Sequence, residues 1–259
     1  MRTCTGSCTA RRRDSLERRG ELAEPKMNDY VSGGYYIVKV IPRPSGLSDM
    51  LPNNLFTMSR CFTAVMGDVI QLQWDPYENV RDSIAEEASE FAIPQPQIPD
   101  LVRWAKAQHN TNYLVFTEVG PPLELLDRFI TDASTHVVGI GLHTSLLESF
   151  KSQLAKDVNN GLGLAELVGE KHPLAENGVP LGYEPLGFEA TSFHSWLCHD
   201  APQEAHKRFG IRPNQFGLID KFEDARQVND YLLQTGAEPA IWEPWLLLNY
   251  GRKITPLSL

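Results

Sequence analysis

The sequence predicts an α/β chain with a mixed sheet, antiparallel in a first part and built on a strand–helix–strand crossover in a second. Three observations carry this. Short apolar runs recur between turn residues, at YYIVKVI (35–41), HVVGIGL (136–142) and WLLLNY (245–250). Between them, apolar residues repeat at helical spacing, as in Leu147, Phe150 and Leu154. Such alternation is the pattern of helices layered on a sheet.

Taken in order, YYIVKVI reads as a strand ended by Pro42 and Pro44. Residues 55–66 and 69–74 read as two more strands, with Gly67 and Asp68 as a hairpin turn between them. Ser83 and Glu86 have capping-box spacing for a helix bearing Ile84, Ala88 and Phe91. The Pro94, Pro96 and Pro99 cluster separates it from a helix at about 100–109.

Past Asn110 the rhythm changes. YLVFTEV (113–119) reads as a strand, and Pro121 and Pro122 open a helix carrying Leu125, Leu126, Phe129 and Ile130. HVVGIGL is continuous enough to be buried on both faces. A helix follows at 145–157, with Ser145 and Glu148 as its capping box. This order implies a crossover with parallel pairing. A short helix fits 164–170, and YEPLGFEA (183–190) is a strand interrupted by a proline. Asp200 and Gln203 have the spacing to cap a helix at 201–209 that Gly210 ends, and Phe222 to Leu232 mark a helix closed by Gly236. A division near residue 110 gives three parts: an extension (1–26), an antiparallel part with two helices (27–110) and a mixed part (111–259). The last two can also be one domain sharing one sheet.

A chain of 259 residues, 42% hydrophobic and 22% charged, can bury a sizeable core without disulfides or metals. Its net charge of −9 conceals a division. Residues 1–26 hold seven basic and four acidic residues, whereas the rest holds 17 basic and 29 acidic. The extension reads as a tail that cannot offset its ordering entropy, upstream of a functional start at Met27. An acidic body repels phosphate backbones, so nucleic acid is expected only through the tail, and a basic protein suits the body as partner. Four scattered cysteines, Cys4, Cys8, Cys61 and Cys198, are no secreted disulfide framework; a reducing, cytoplasmic setting is the expectation. No apolar run reaches about 18 residues, so no membrane span is expected. Basic residues without an apolar stretch behind them do not make a secretory signal.

The densest chemical segment is TSFHSWLCHDAPQE (191–204), which sets His194, Ser195, Cys198, His199 and Asp200 just before a helix start. A helix N-terminus favours an anion, so a Cys198 thiolate assisted by His194 or His199, with Asp200 orienting an imidazole, has the ingredients of a cysteine-dependent hydrolase or transferase. A buried, inert thiol is the competing reading, since free cysteine is among the most buried residue types. The second unusual segment holds Trp242, Glu243 and Trp245 around Pro244. Together with Trp196 these residues would edge a binding surface; the alternative is that they close the core.

Other chemistries lack their constellations. The seven histidines show no H-x3-H or HExxH spacing, so no metal is expected. GIGLHT (139–144) and GLGLAELVG (161–169) miss both the dinucleotide fingerprint and the P-loop, so no cofactor is expected. Glu184 and Glu189 lie an odd number of residues apart, on opposite faces of one strand, so they make no glycosidase pair.

Three segments, LGYEPLGFEATSFHSWLCHD (181–200), NQFGLID (214–220) and AEPAIWEPWLLLNYG (237–251), resemble bacterial immunity-type proteins found beside secreted toxins. The likeness covers roughly residues 112–251. It implies an acidic, cytosolic, non-enzymatic protein that binds and blocks another protein, such as a basic toxin or effector, and it assigns no site residues.

Overall fold

The computed structural model describes residues 26–67, 88–107, 115–154, 163–189 and 192–252. The strand expected at 69–74 with Asp68 of its turn, the Ser83–Glu86 capping box and the extension up to residue 25 lie outside the described residues, as does the side chain of His199.

Among the described residues eight strands are formed: β1 (Tyr30–Lys39), β2 (Ile41–Pro42), β3 (Asn54–Leu55), β4 (Val65–Met66), β5 (Thr135–His143), β6 (Val179–Glu189), β7 (Ser192–Ser195) and β8 (Ile241–Asn249). Six make one sheet in the order β4-β1-β5-β8-β6-β7, and β2 pairs β3 separately. With them go the α-helices α1 (Ile98–Ala107), α2 (Gly120–Phe129), α3 (Leu147–Leu154), α4 (Leu164–Glu170), α5 (Ala201–Phe209) and α6 (Phe222–Thr235). The mixed α/β class expected from the sequence is therefore present. No helix among the described residues is long and apolar enough to cross a membrane.

Every ladder among the described residues is antiparallel, which corrects the expectation of parallel pairing for the crossover strands. The crossover itself exists in split form. Strands β5 and β6 both run antiparallel to β8, which lies between them, so they are parallel to each other and joined by α3 and α4. In the same way β7 and β8 are parallel, flank β6, and are joined by α5 and α6. Strand–helix order in sequence signals the crossover; it does not reveal that a later strand inserts into the gap. Because β1 lies between β4 and β5, strands from both sides of residue 110 share the sheet.

Burial on both faces explains the continuous apolar strands. One face presents Tyr36, Val38, Val138, Ile140, Trp245, Leu247, Leu186 and Phe188 to Leu147, Phe150 and Leu154 of α3 and to Leu164, Leu167 and Val168 of α4. The opposite face packs Ile37 and Val137 on α1 and α2, and Trp242, Leu246 and Leu248 on α5 and α6. Pro185 survives inside β6 for a geometric reason. Tyr183, two residues earlier, turns its N–H and C=O away from β8 to Ile219, at 2.7 and 2.9 Å. Pro185 has the same parity and stands opposite Pro244, so no bond between β6 and β8 is lost.

Several local expectations are replaced. Residues 56–64 form no ladder, although Phe56 and Met58 are core residues; this backbone is held by scattered bonds, as when Phe56 N–H donates to Phe216 O at 3.0 Å and Met58 N–H to Glu184 Oε2 at 3.0 Å. Of the strand expected at 113–119, residues 113–114 lie outside the described residues, and within 115–119 Phe116 makes an isolated bridge to Tyr35. The first turn before α3 is capped by His143, whose Nδ1 accepts from Ser145 N at 3.2 Å, and not by Ser145 with Glu148. Asp200 has φ 51 and makes no side-chain cap to α5, because a left-handed backbone there turns its carboxylate from the free N–H groups. The stops at Gly210 and Gly236 are found as expected, with φ 71 and 62.

Candidate functional site

The segment richest in chemical groups forms β7 and the 3-10 turn Trp196–His199 that follows it. Strand alternation divides its side chains. Phe193 joins the core under α3 and α4, and Ser195 shares that face. His194 projects from the other face, where its Nε2 lies 3.1 Å from Glu189 Oε2.

On the Ser195 side sits a buried polar knot around Glu184. Its Oε1 accepts from both Thr57 Oγ1 and Ser195 Oγ at 2.6 Å, and its Oε2 accepts from Met58 N. Burial pushes the Glu184 carboxyl up to about 7, while the three donors pull the other way. Ser195 Oγ also accepts from Leu197 N at 3.2 Å, so one hydroxyl fixes both the carboxylate and the turn. The knot is completely enclosed, with Glu184 and Ser195 both at 0% exposure. It fastens the 56–59 backbone onto β6 and β7, and substrate has no access to it.

Cys198 borders this knot. It is half-buried, and its Sγ lies 3.7 Å from Ser59 Oγ. Burial pushes the thiol up to about 11, and the neighbouring Cys61 adds to the shift. A nucleophilic cysteine needs its thiolate stabilised by an imidazolium or a helix terminus. The groups that act on Cys198 are Ser59, Ser195 and Cys61, while His194 is engaged with Glu189. Asp200 is exposed and makes no side-chain hydrogen bond to the helix it precedes. Cys198 and His194 thus have different partners, while the ring of His199, the other imidazole expected beside Cys198, lies outside the described side chains.

The tryptophan surface is corrected as well. Trp196, Trp242 and Trp245 are 0%, 1% and 0% exposed. Trp242 and Trp245 lie inside β8, which begins at Ile241 and not after Pro244. They close the core from opposite faces of the sheet. Glu243 is also buried; burial first, then the charge of Asp230, pushes its carboxyl up to about 7.

Two arrangements that sequence reasoning missed remain on the surface. The first is a cleft of about 660 Å³ beside β1. One wall is the chain leading into α2, held by Tyr35 N–H donating to Phe116 O at 2.8 Å. The other follows α4, held by Ser32 N–H donating to His172 O at 2.8 Å. Tyr35, Val119 and Leu174 give it apolar lining, and Glu118, Glu170 and Glu176 place three exposed carboxylates around it. His172 Nε2 lies 2.6 Å from Glu170 Oε2. Tyr35 Oη accepts from Ala175 N, and Tyr250 Oη donates to Ala175 O, so the far wall is anchored at both ends of one residue. The volume falls in the range that accommodates a ligand or an inserted side chain.

The second is a grouping of Glu189, His194 and Glu238, whose ligand atoms all lie within 4.8 Å of one another. The search for histidine repeats could not find it, because the three residues come from β6, β7 and the loop between α6 and β8. Of the three, only the Glu189–His194 pair has a local signal: a tight hairpin, Glu189 opposite Ser192, which brings a residue five positions on back alongside. Comparison of the chain with protein-family models, with curated proteins and with solved structures finds no match.

Proposed function

We propose that this chain is a non-catalytic, cytoplasmic protein that binds a basic partner protein and blocks it, in the manner the immunity-type resemblance implies. The observation that carries the reading is the cleft between residues 115–119 and 170–176. It sets Glu118, Glu170 and Glu176 around apolar walls, on a body holding 29 acidic and 17 basic residues beyond position 26. Carboxylates at a partly apolar cleft favour a guanidinium or ammonium whose stem lies on the apolar part. A Cys198 thiol raised by burial and a His194 engaged with Glu189 support the non-catalytic reading over the cysteine-enzyme alternative. The surface is thereby moved from the buried tryptophans to the acidic cleft.

The test is capture by the full chain in parallel with a Glu118→Lys/Glu176→Lys variant, at low and at high salt, with the recovered proteins identified by mass spectrometry. A stoichiometric basic protein held by the wild type, released by salt and absent from the variant is the expected result. Equal recovery by both chains, or recovery of no stoichiometric protein, would overturn the reading.

A further inference from the structure

We propose that Glu189, His194 and Glu238 form a binding site for one divalent transition-metal ion of the zinc or manganese class. The inference is independent of the acidic cleft. Two carboxylates and one imidazole within 4.8 Å of one another supply three ligands, and their two negative charges match a divalent ion. An imidazole in the set selects a transition metal over magnesium or calcium, which prefer oxygen alone. Around a tetrahedral ion with ligand bonds of about 2.0–2.2 Å the ligand atoms stand roughly 3.4 Å apart. Glu189 and His194 already approach within 3.1 Å, and a Glu238 carboxylate oxygen within 4.8 Å of both supplies the third ligand.

The backbone holds the three in place. His194 stands directly opposite Gly187 on β6, and Trp242 stands opposite Gly187 on the other side. The missing side chain at Gly187 leaves that row open, and the Trp242 ring fills part of it: a Cβ built there would lie 2.7 Å from Trp242 Cε2. Trp242 Nε1 in turn donates to the Glu238 carbonyl at 3.4 Å, and Ala240 N donates to the same oxygen at 2.8 Å. These outer bonds fix the Glu238 backbone, the role that second-layer partners play in metal sites. The side chains of His194 and Glu189 are 21% and 41% exposed, so an ion can enter from solvent and keep water or a partner's side chain as its fourth ligand.

The test is calorimetric titration of Zn²⁺ into the full chain after chelator treatment. Cys4, Cys8 and Cys61 are replaced by serine to remove competing thiols. One saturable ion per chain is expected, with affinity at least tenfold lower in His194→Gln and in Glu238→Gln, and no comparable uptake of Mg²⁺. Thermal melting gives a second reading, since an ion that binds only the folded chain raises Tm: Zn²⁺ should raise it in the parent and not in His194→Gln. Should either variant fail to fold, Glu189→Gln, on a more exposed side chain, replaces it. Unaltered affinity in these variants, or no saturable binding in the parent, overturns the site.

Discussion

Ser195 Oγ donates to Glu184 Oε1 at 2.6 Å while accepting from Leu197 N. One hydroxyl therefore ties together β6, β7 and the turn that carries Cys198. Ser195→Ala removes a donor to a carboxylate that has 0% exposure. A buried group deprived of one partner costs about 1–3 kcal/mol. Chemical denaturation of this variant should show that loss with an unchanged m-value, and a smaller effect than about 0.5 kcal/mol would contradict the enclosed knot.

Glu184 and Glu243 govern how stability depends on pH. Each carboxyl titrates near 7 in the folded chain, above its ordinary 4.5, so the folded state holds protons that the unfolded state releases. Their stabilising contribution is complete below about 4.5, declines as pH rises towards 7, and changes no further above that. A raised carboxyl corresponds to about 1.4 kcal/mol per pH unit while the two states differ by one proton. Glu184→Gln removes one titrating group and should roughly halve the decline between pH 4.5 and 7. Unfolding free energies measured across that window check it; a slope equal to the wild type's would mean that Glu184 ionises normally.

Cys198 should be a poor nucleophile at neutral pH. Its thiol titrates at about 11, and the thiolate is the reacting species. Alkylation followed by peptide mass mapping should label the exposed Cys61 well before Cys198 at pH 7.5, with Cys198 labelling still rising above pH 9. Preferential labelling of Cys198 at pH 7 would restore the enzyme reading.

The strands that crossed the sheet's middle were legible because burial on both faces leaves an unbroken apolar run, as at residues 136–142, now β5. Helix stops at Gly210 and Gly236 were legible because a left-handed residue there has a local signature. What failed was whatever depended on distant partners. Phe56 and Met58 look like strand residues, but their N–H groups go to the Phe216 carbonyl and to Glu184, each more than 120 positions away, and not to a neighbouring strand. Trp242 and Trp245 look like a turn's edge because Pro244 stands between them; only the register, with Pro244 in a pair that makes no bond to β6 and the β5 ladder ending at Trp245, makes that proline admissible within a strand. The same distance hides the site residues. No spacing in the chain connects Glu238 with His194, nor Glu118 with Glu176, until strands and loops bring them together.

Gly187→Ala tests the row that runs from His194 across β6 to Trp242. The new methyl would lie 2.7 Å from Trp242 Cε2 and 2.9 Å from Ala240 Cβ, well inside van der Waals contact. Trp242 is 1% exposed and packed against α5 and α6, so its ring cannot swing outward without opening that core. Overpacking of this kind costs typically 1–3 kcal/mol. The strain falls on a ring whose Nε1 donates to the Glu238 carbonyl, and so it should also displace the loop bearing that carboxylate. Gly187→Ala is therefore expected to lower Tm, alter tryptophan fluorescence and weaken Zn²⁺ binding, although it replaces no ligand. A variant as stable as wild type, with the same emission spectrum, would show that the ring does not lie over residue 187.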